Sequence, residues 1–279
     1  MRSGKGIERL LLVLALSSVG SLALITFFIF WEGLPLILST GVGDFLFSTH
    51  WAPTKGRFGI GAMIVSSVLV TLGALVLGVP LGLACAIVLA EFSPLRLKQV
   101  LKPTLELLAG IPSVVYGFLG VLWLVPLIRD HLGGPGLSLL AAALILGIMI
   151  LPTIISISID ALSAVPDLYR DGSLALGATR WQTVHRVVLP AARSGIITAI
   201  ILGMGRAVGE TMAVIMVAGN ALSLPSSLLD PVRTLTSNIA LELGYASGRH
   251  REALFATGVV LFVIIMILNL TAAAVTRRR

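Results

Sequence analysis

The stretch Gly203–Val214, "GMGRAVGETMAV", places an arginine and a glutamate four residues apart inside a run that is otherwise apolar, glycine or small hydroxyl residues from Gly195 to Gly219. Such a run is long enough to cross the hydrocarbon core of a bilayer. A charge near its middle costs about 2.5 to 3.5 kcal/mol even on the lenient insertion scales. On a continuous helix, residues at i and i+4 share one face, so Arg206 and Glu210 are expected to pair within the span. Two readings follow. In one, the pair is a static lock within a helix bundle. In the other, Arg206 faces a translocation path, where its planar guanidinium matches the oxygens of an oxyanion in a bidentate way. Glu210 then holds Arg206 in place and weakens its grip, so that the ion can leave.

Other chemistry is sparse. The phosphate-cradling pattern G-x-x-x-x-G-K-[ST] is absent, so no ATP hydrolysis through such a loop is expected of this chain, and the reading is of a non-enzyme. His50, His131, His185 and His250 all lie in connections, none at i, i+4 from another, and no metal site is expected. The single cysteine, Cys85, excludes a disulfide framework and reads as a small lipid- or helix-facing residue. "GVGD", Gly41–Asp44, matches a short signature of intramembrane aspartyl proteases. That chemistry needs a second aspartate sharing a proton, and no span supplies one.

The elements that must position Arg206 and Glu210 are set by composition. The 279 residues are 57% hydrophobic and 12% charged, with a mean hydropathy of +1.02. A soluble chain normally carries about twice that charge fraction. The expectation is an all-α polytopic membrane protein forming one domain, 1–279. Six spans fall near Leu10–Trp31, Ile60–Ala90, Leu107–Ile128, Leu137–Ile159, Gly195–Gly219 and Ala253–Val275, the first a retained signal anchor. Net charge is +7, and its distribution explains it. Arg2, Lys5, Arg9, Arg96, Lys98, Lys102, Arg170, Arg180, Arg186, Arg193 and Arg277–Arg279 lie on one side of these spans. Lys55, Arg57, Arg129, Arg233, Arg249 and Arg251 lie on the other. That division, 13 against 6, predicts both termini in the cytoplasm and leaves little reason to invoke a nucleic-acid partner.

Two exposed segments are long. The outer loop Glu32–Gly59 is rich in turn formers and carries Trp51 at an expected interface. The cytoplasmic stretch 160–194 reads as two short amphipathic helices, with a start near Pro166–Asp167, a glycine at Gly177 and a stop at Pro190. Within the spans, Gly78–Gly82 and Gly205–Gly209 have the small-xxx-small spacing that lets helices approach closely. Pro80, Pro112, Pro126 and Pro152 each free a backbone carbonyl that must find another partner.

The cytoplasmic stretch resembles the E-A-A-x3-G-x9-I-x-L-P motif of bacterial ABC importer permeases. Asp171-Gly172-Ser173 stand at its opening, Gly177 at its glycine, Val187 at its isoleucine and Leu189-Pro190 at its end. The opening acid is shortened to Asp171 and both alanines are replaced. "LLAGIPSVVYGFLG" (Leu107–Gly120) and "GRAVGETMAVIMVAGN" (Gly205–Asn220) resemble the phosphate-importer permeases. "RTLTSNIALELG" and "EALFATGVVLFV" are closer to the PstC type than to its PstA partner type. The resemblance implies the type I ABC importer permease architecture. It implies a coupling helix at Asp171, Gly177, Leu189 and Pro190 that docks on a cytoplasmic ATPase dimer. It further implies a PstA-type second permease subunit, an extracytoplasmic phosphate-binding protein, inorganic phosphate as cargo, no cofactor, and a bacterial inner-membrane location. Sulfate or molybdate import, or ion-coupled secondary transport, are the alternative readings.

Overall fold

The computed structural model describes residues 3–277. Arg2, Arg278 and Arg279, counted above among the basic residues, lie outside them. The chain is helical nearly throughout. Among the described residues, five helices are long and apolar enough to cross a membrane: Leu10–Thr40, Gly61–Phe92, Ser113–Leu132, Leu139–Ser163 and Arg249–Thr271. A sixth candidate is the bent pair Arg180–Ala191 and Arg193–Gly209.

The first helix, α1 (Ser3–Thr40), runs nine residues past the expected end at Trp31, with Pro35 inside it. The segment read as an outer loop is therefore largely structured. Beyond α1 come the short helix α2 (Val42–Phe47) and a two-stranded antiparallel hairpin, β1 (Trp51–Ala52) with β2 (Arg57–Phe58), in the register Trp51↔Phe58. This hairpin is a small departure from an all-α chain. Trp51 is not an interfacial anchor; it is buried in a cluster with Phe45, Phe58, Ile60 and Leu254.

From the hairpin, α3 (Gly61–Ile87) crosses to the other end of the molecule and finishes in a wide turn, Val88–Phe92. Its principal neighbour is α7 (Leu139–Ser163), the most buried of the spans. The glycine spacing explains the contact. A Cβ at Gly78 would lie 2.8 Å from Ile150, and one at Gly82 would lie 2.9 Å from Ile154. Only glycine lets the two backbones approach so closely, and in a bilayer that packing is what drives helix association. The Gly205–Gly209 pair does no such work, since nothing lies within 4 Å of a Cβ at either position.

Two of the runs expected to be continuous spans are interrupted. The run read as Leu107–Ile128 is divided between α4 (Leu95–Ala109) and α5 (Ser113–Leu119), with the break at Gly110–Pro112. A wide turn, Gly120–Leu124, then leads into α6 (Val125–Leu132). Pro126 sits just inside α6 and has no N–H for the carbonyl four residues back, which is where the backbone widens. The run read as one span over Gly195–Gly219 is also not continuous. It is α11 (Arg193–Gly209), a break at Glu210–Thr211, and α12 (Met212–Val217).

The 160–194 stretch follows its reading closely. Its first helix, α8 (Asp167–Ala175), starts after Pro166. The second begins as α9 (Arg180–Thr183), passes through the wide turn Val184–Val188 and ends as α10 (Leu189–Ala191). The chain then bends by 71° into α11. Beyond α12, the fold closes with α13 (Leu235–Glu242) and α14 (Arg249–Arg277), which lies along α1.

Candidate functional site

The helices that follow the two interruptions pack on each other. α5 packs on α12 so closely that a Cβ at Gly117 would lie 2.8 Å from the Met216 sulfur and 2.9 Å from the Ala213 Cα. Each break leaves helix-end carbonyls or N–H groups without intrahelical partners, and in a membrane these must be satisfied from nearby.

Arg206 serves one of these ends. Its Nη2 donates to the carbonyl of Ala109 (3.1 Å), the last residue of α4, where a cation also favours the negative end of the helix dipole. Tyr116 completes the arrangement by donating its hydroxyl to the Leu108 carbonyl at 3.0 Å. α11 brings Arg206 to this place about 20 Å from the helix start, at 1.5 Å per residue over 13 residues.

Glu210 serves the other break. It is the residue at which α11 unwinds, with φ −69° and ψ 132°. Its Oε1 accepts from the Ala213 N–H at 3.0 Å, at the start of α12, and its carbonyl accepts from the Thr236 hydroxyl at 2.9 Å. An orphan donor and the positive end of a helix dipole thus stabilise this carboxylate. Ser67, Thr71, Glu210, Thr234 and Thr236 contribute to a pocket of about 10 Å³, room for about one water.

The expected Arg206–Glu210 pair is therefore not formed; among the described residues no carboxylate lies within 4.0 Å of Arg206. The i, i+4 argument requires a continuous helix, and the helix ends at Gly209, between the two residues. Among the described residues the Ala109 carbonyl is the one protein acceptor of the half-buried guanidinium. Four of its five N–H groups remain available to another acceptor.

At the opposite end from the hairpin, α8 and the α9–α10 helix form a hairpin of helices. Gly177 turns it in the left-handed region, φ +85°, and nothing lies within 4 Å of a Cβ placed there. Backbone conformation, not crowding, makes this position glycine. A capping box starts α9, the Thr179 hydroxyl accepting from the Gln182 N–H and the Gln182 side chain accepting from the Thr179 N–H. Asp171 and Pro190 are at the surface, while Leu189 packs inward beside Val188. Leu168, Tyr169 and Trp181 are exposed, and Leu176 at the tip is 90% exposed. Apolar side chains so displayed on short, charged helices form the kind of patch that a partner surface covers.

Two polar clusters had no local signal in the sequence. At the hairpin end, Glu242 accepts from Arg233 Nη1 (2.7 Å) and Trp51 Nε1 (2.9 Å), with His250 Nε2 at 2.8 Å. Arg233 Nε in turn donates to the carbonyl of Asn220, whose side chain donates to the Ile215 carbonyl of α12. At the other end, Arg170 meets Glu91 in a two-pronged pair, and its guanidinium pKa is raised, chiefly by that hydrogen bond.

Interrupted helices packed in a bundle, with a cation at the junction and a hairpin of short helices beyond it, are an arrangement suited to a membrane transport subunit. The model of the family "Binding-protein-dependent transport system inner membrane component" matches residues 78–279, and the chain belongs to this family. It is similar to the probable ABC transporter permease protein YqgH of Bacillus subtilis, 43% identical over 95% of this chain and 88% of the relative. It is also similar to the phosphate transport system permease protein PstC of Haemophilus influenzae, 37% identical over 84% of this chain and 81% of the relative. A probable PstC of Methanocaldococcus jannaschii is 35% identical over 88% and 85%. Among solved structures the fold is similar to a chain of the MetNI methionine ABC transporter, with a TM-score of 0.63 at 20% identity, over 82% of this chain and 98% of that one. A bacterial alginate ABC importer matches with a TM-score of 0.64 at 17% identity, over 100% and 99%.

Proposed function

We propose that this chain is the PstC-type permease subunit of an ATP-driven phosphate importer in a bacterial inner membrane, with both termini cytoplasmic. It pairs with a PstA-type permease, receives phosphate from an extracytoplasmic binding protein, and docks a cytoplasmic ATPase dimer on the 160–194 segment. The observation that carries this reading is Arg206. A guanidinium bound, among the described residues, to one carbonyl and to no carboxylate, at the junction of two interrupted helices, has the charge and the free donors to hold a tetrahedral oxyanion. Glu210 shapes the same junction by starting α12. The similarity to relatives named for phosphate transport supports phosphate over other oxyanions. The test is uptake into liposomes holding the purified complex, with labelled phosphate and with sulfate or molybdate as competitors. ATP-dependent uptake that phosphate alone competes for is the expected result. Uptake without the ATPase would favour an ion-coupled transporter instead.

Docking predicts a specific phenotype at Gly177. A β-branched residue at positive φ costs about 1–2 kcal/mol and distorts the turn that presents Leu176. Gly177→Val is expected to reduce ATPase co-purification and uptake severalfold at unchanged membrane abundance, while Gly177→Asn, which tolerates the left-handed region, retains most of both. Orientation has its own test. Thr54→Cys, exposed between β1 and β2, in a Cys85→Ala background, should react with an impermeant thiol reagent on intact cells. Reaction only after lysis would invert the orientation.

A further inference from the structure

Arg170 is the one basic residue of α8 and it turns away from the exposed apolar side chains of the docking hairpin, back into the molecule. Nε donates to Glu91 Oε2 at 3.1 Å, and Nη2 donates to Glu91 Oε1 at 2.7 Å and to the Leu162 carbonyl at 2.8 Å. Nη1 donates to the Val165 carbonyl at 2.6 Å and to Asp167 Oδ1 at 3.2 Å. The side chains of Arg170 and Glu91 are only 19% and 8% exposed.

These acceptors belong to three elements. Glu91 lies in the wide turn that ends α3. The Leu162 and Val165 carbonyls are at the C-terminal end of α7, and Asp167 opens α8. One planar cation thus fastens the docking hairpin to the ends of the two spans that pack on each other most extensively. α7 also packs on α11, which carries Arg206. The covalent link from α7 to α8 is the short non-helical step Ala164–Pro166, a place where α8 could pivot, while Val188 and Leu189 hold the other helix of the hairpin by apolar packing on the same span ends. The side chains of Phe92 and Trp181, with ring centroids 6.4 Å apart, add a second contact between the α3 end and α9.

We propose that Arg170 and Glu91 form a strut that makes the docking hairpin, α3 and α7 move as one body, so that displacement of the hairpin by an ATPase reaches the membrane spans. Both are positioning residues. Neither touches the transported ion, and the proposal rests on the 160–194 segment being the ATPase contact. The geometry separates a strut from simple charge neutralisation. An ammonium in place of the guanidinium balances Glu91 but lacks the planar fork that reaches the carboxylate and both carbonyls together.

The test uses the reconstituted complex of both permeases, ATPase and binding protein, and measures phosphate imported per ATP hydrolysed alongside the amount of ATPase retained. Arg170→Lys is expected to retain the ATPase at the wild-type level while phosphate per ATP falls about tenfold or more. Glu91→Gln, which keeps the shape of the side chain, is expected to uncouple in the same way. A wild-type ratio in Arg170→Lys would overturn the strut, because charge balance would then suffice. Loss of the ATPase from both variants would also overturn it, by making the pair a folding element. If the wild-type chain itself retained no ATPase, the docking reading would fall, and the strut with it, before any variant was compared.

Discussion

Replacing Arg206 with glutamine is expected to abolish phosphate uptake while the complex still assembles. A hydrogen bond to a charged group contributes about 1.5–3 kcal/mol, so losing two such bonds to an oxyanion lowers uptake by about a hundredfold or more. The structural cost is smaller, since Arg206 gives the fold one bond, to the Ala109 carbonyl, and a favourable position at the end of α4. Arg206→Lys should recover little, because the ammonium has no bidentate fork. Glu210→Gln is the informative companion. Its amide oxygen can still accept from the Ala213 N–H, so α12 should still start at the same place and uptake should stay within severalfold of wild type. The double variant Arg206→Gln with Glu210→Gln should be as inactive as Arg206→Gln alone, there being no pair to neutralise. The measurement is uptake normalised to assembled complex. Recovery of uptake in the double variant would reinstate a functional Arg206–Glu210 pair and contradict the geometry described above.

What the sequence made legible, and what it hid, divides along a physical line. Apolar run length located the spans, because a bilayer demands it wherever a helix crosses. The spacing Gly78–Gly82 located a close approach of α3 to α7, because only glycine permits it. Pro166 and Gly177 located the hairpin of short helices at 167–191, since one disfavours a continuing helix and the other supplies a positive φ. Hydropathy, however, is indifferent to whether an apolar run is one helix or two. Glu210–Thr211 contains no proline or glycine of its own, and the break there follows from contacts with α12 and Thr236 made in three dimensions. The i, i+4 pairing failed for that reason alone. Gly110–Pro112, by contrast, carries a visible break signal, a glycine and a proline two residues apart. Trp51 read as an interface anchor on composition, yet it is buried, because its indole N–H finds Glu242, 191 residues away. Arg170 and Glu91 are 79 residues apart and were invisible as a pair. The Trp51 and Arg170 contacts each concern a partner distant in sequence, which periodicity and spacing do not encode.

Glu242→Leu is expected to be the most destabilising single substitution at the hairpin end. Glu242 is 7% exposed and receives three side-chain groups, from Arg233, Trp51 and His250. Removing it leaves the Arg233 guanidinium, itself largely buried, with the Asn220 carbonyl and the Asn238 side-chain oxygen as its acceptors among the described residues. Stranding one member of a buried ion pair costs about 3–5 kcal/mol, a large share of a domain's stability. The loss should be felt locally first. Trp51 holds the β1–β2 hairpin to α13 through this carboxylate, so Lys55 and Arg57 at the hairpin should become cleavable by trypsin added outside, at concentrations that leave the wild type intact. Because Arg233 also holds the Asn220 turn that follows α12, uptake should fall along with membrane abundance. The double variant Glu242→Leu with Arg233→Met distinguishes a stranded charge from a lost scaffold. Replacing both members of a buried pair by apolar side chains is often nearly neutral, so protease resistance should return substantially. Trypsin resistance and abundance of Glu242→Leu at wild-type levels would show that the carboxylate holds neither the hairpin nor Arg233.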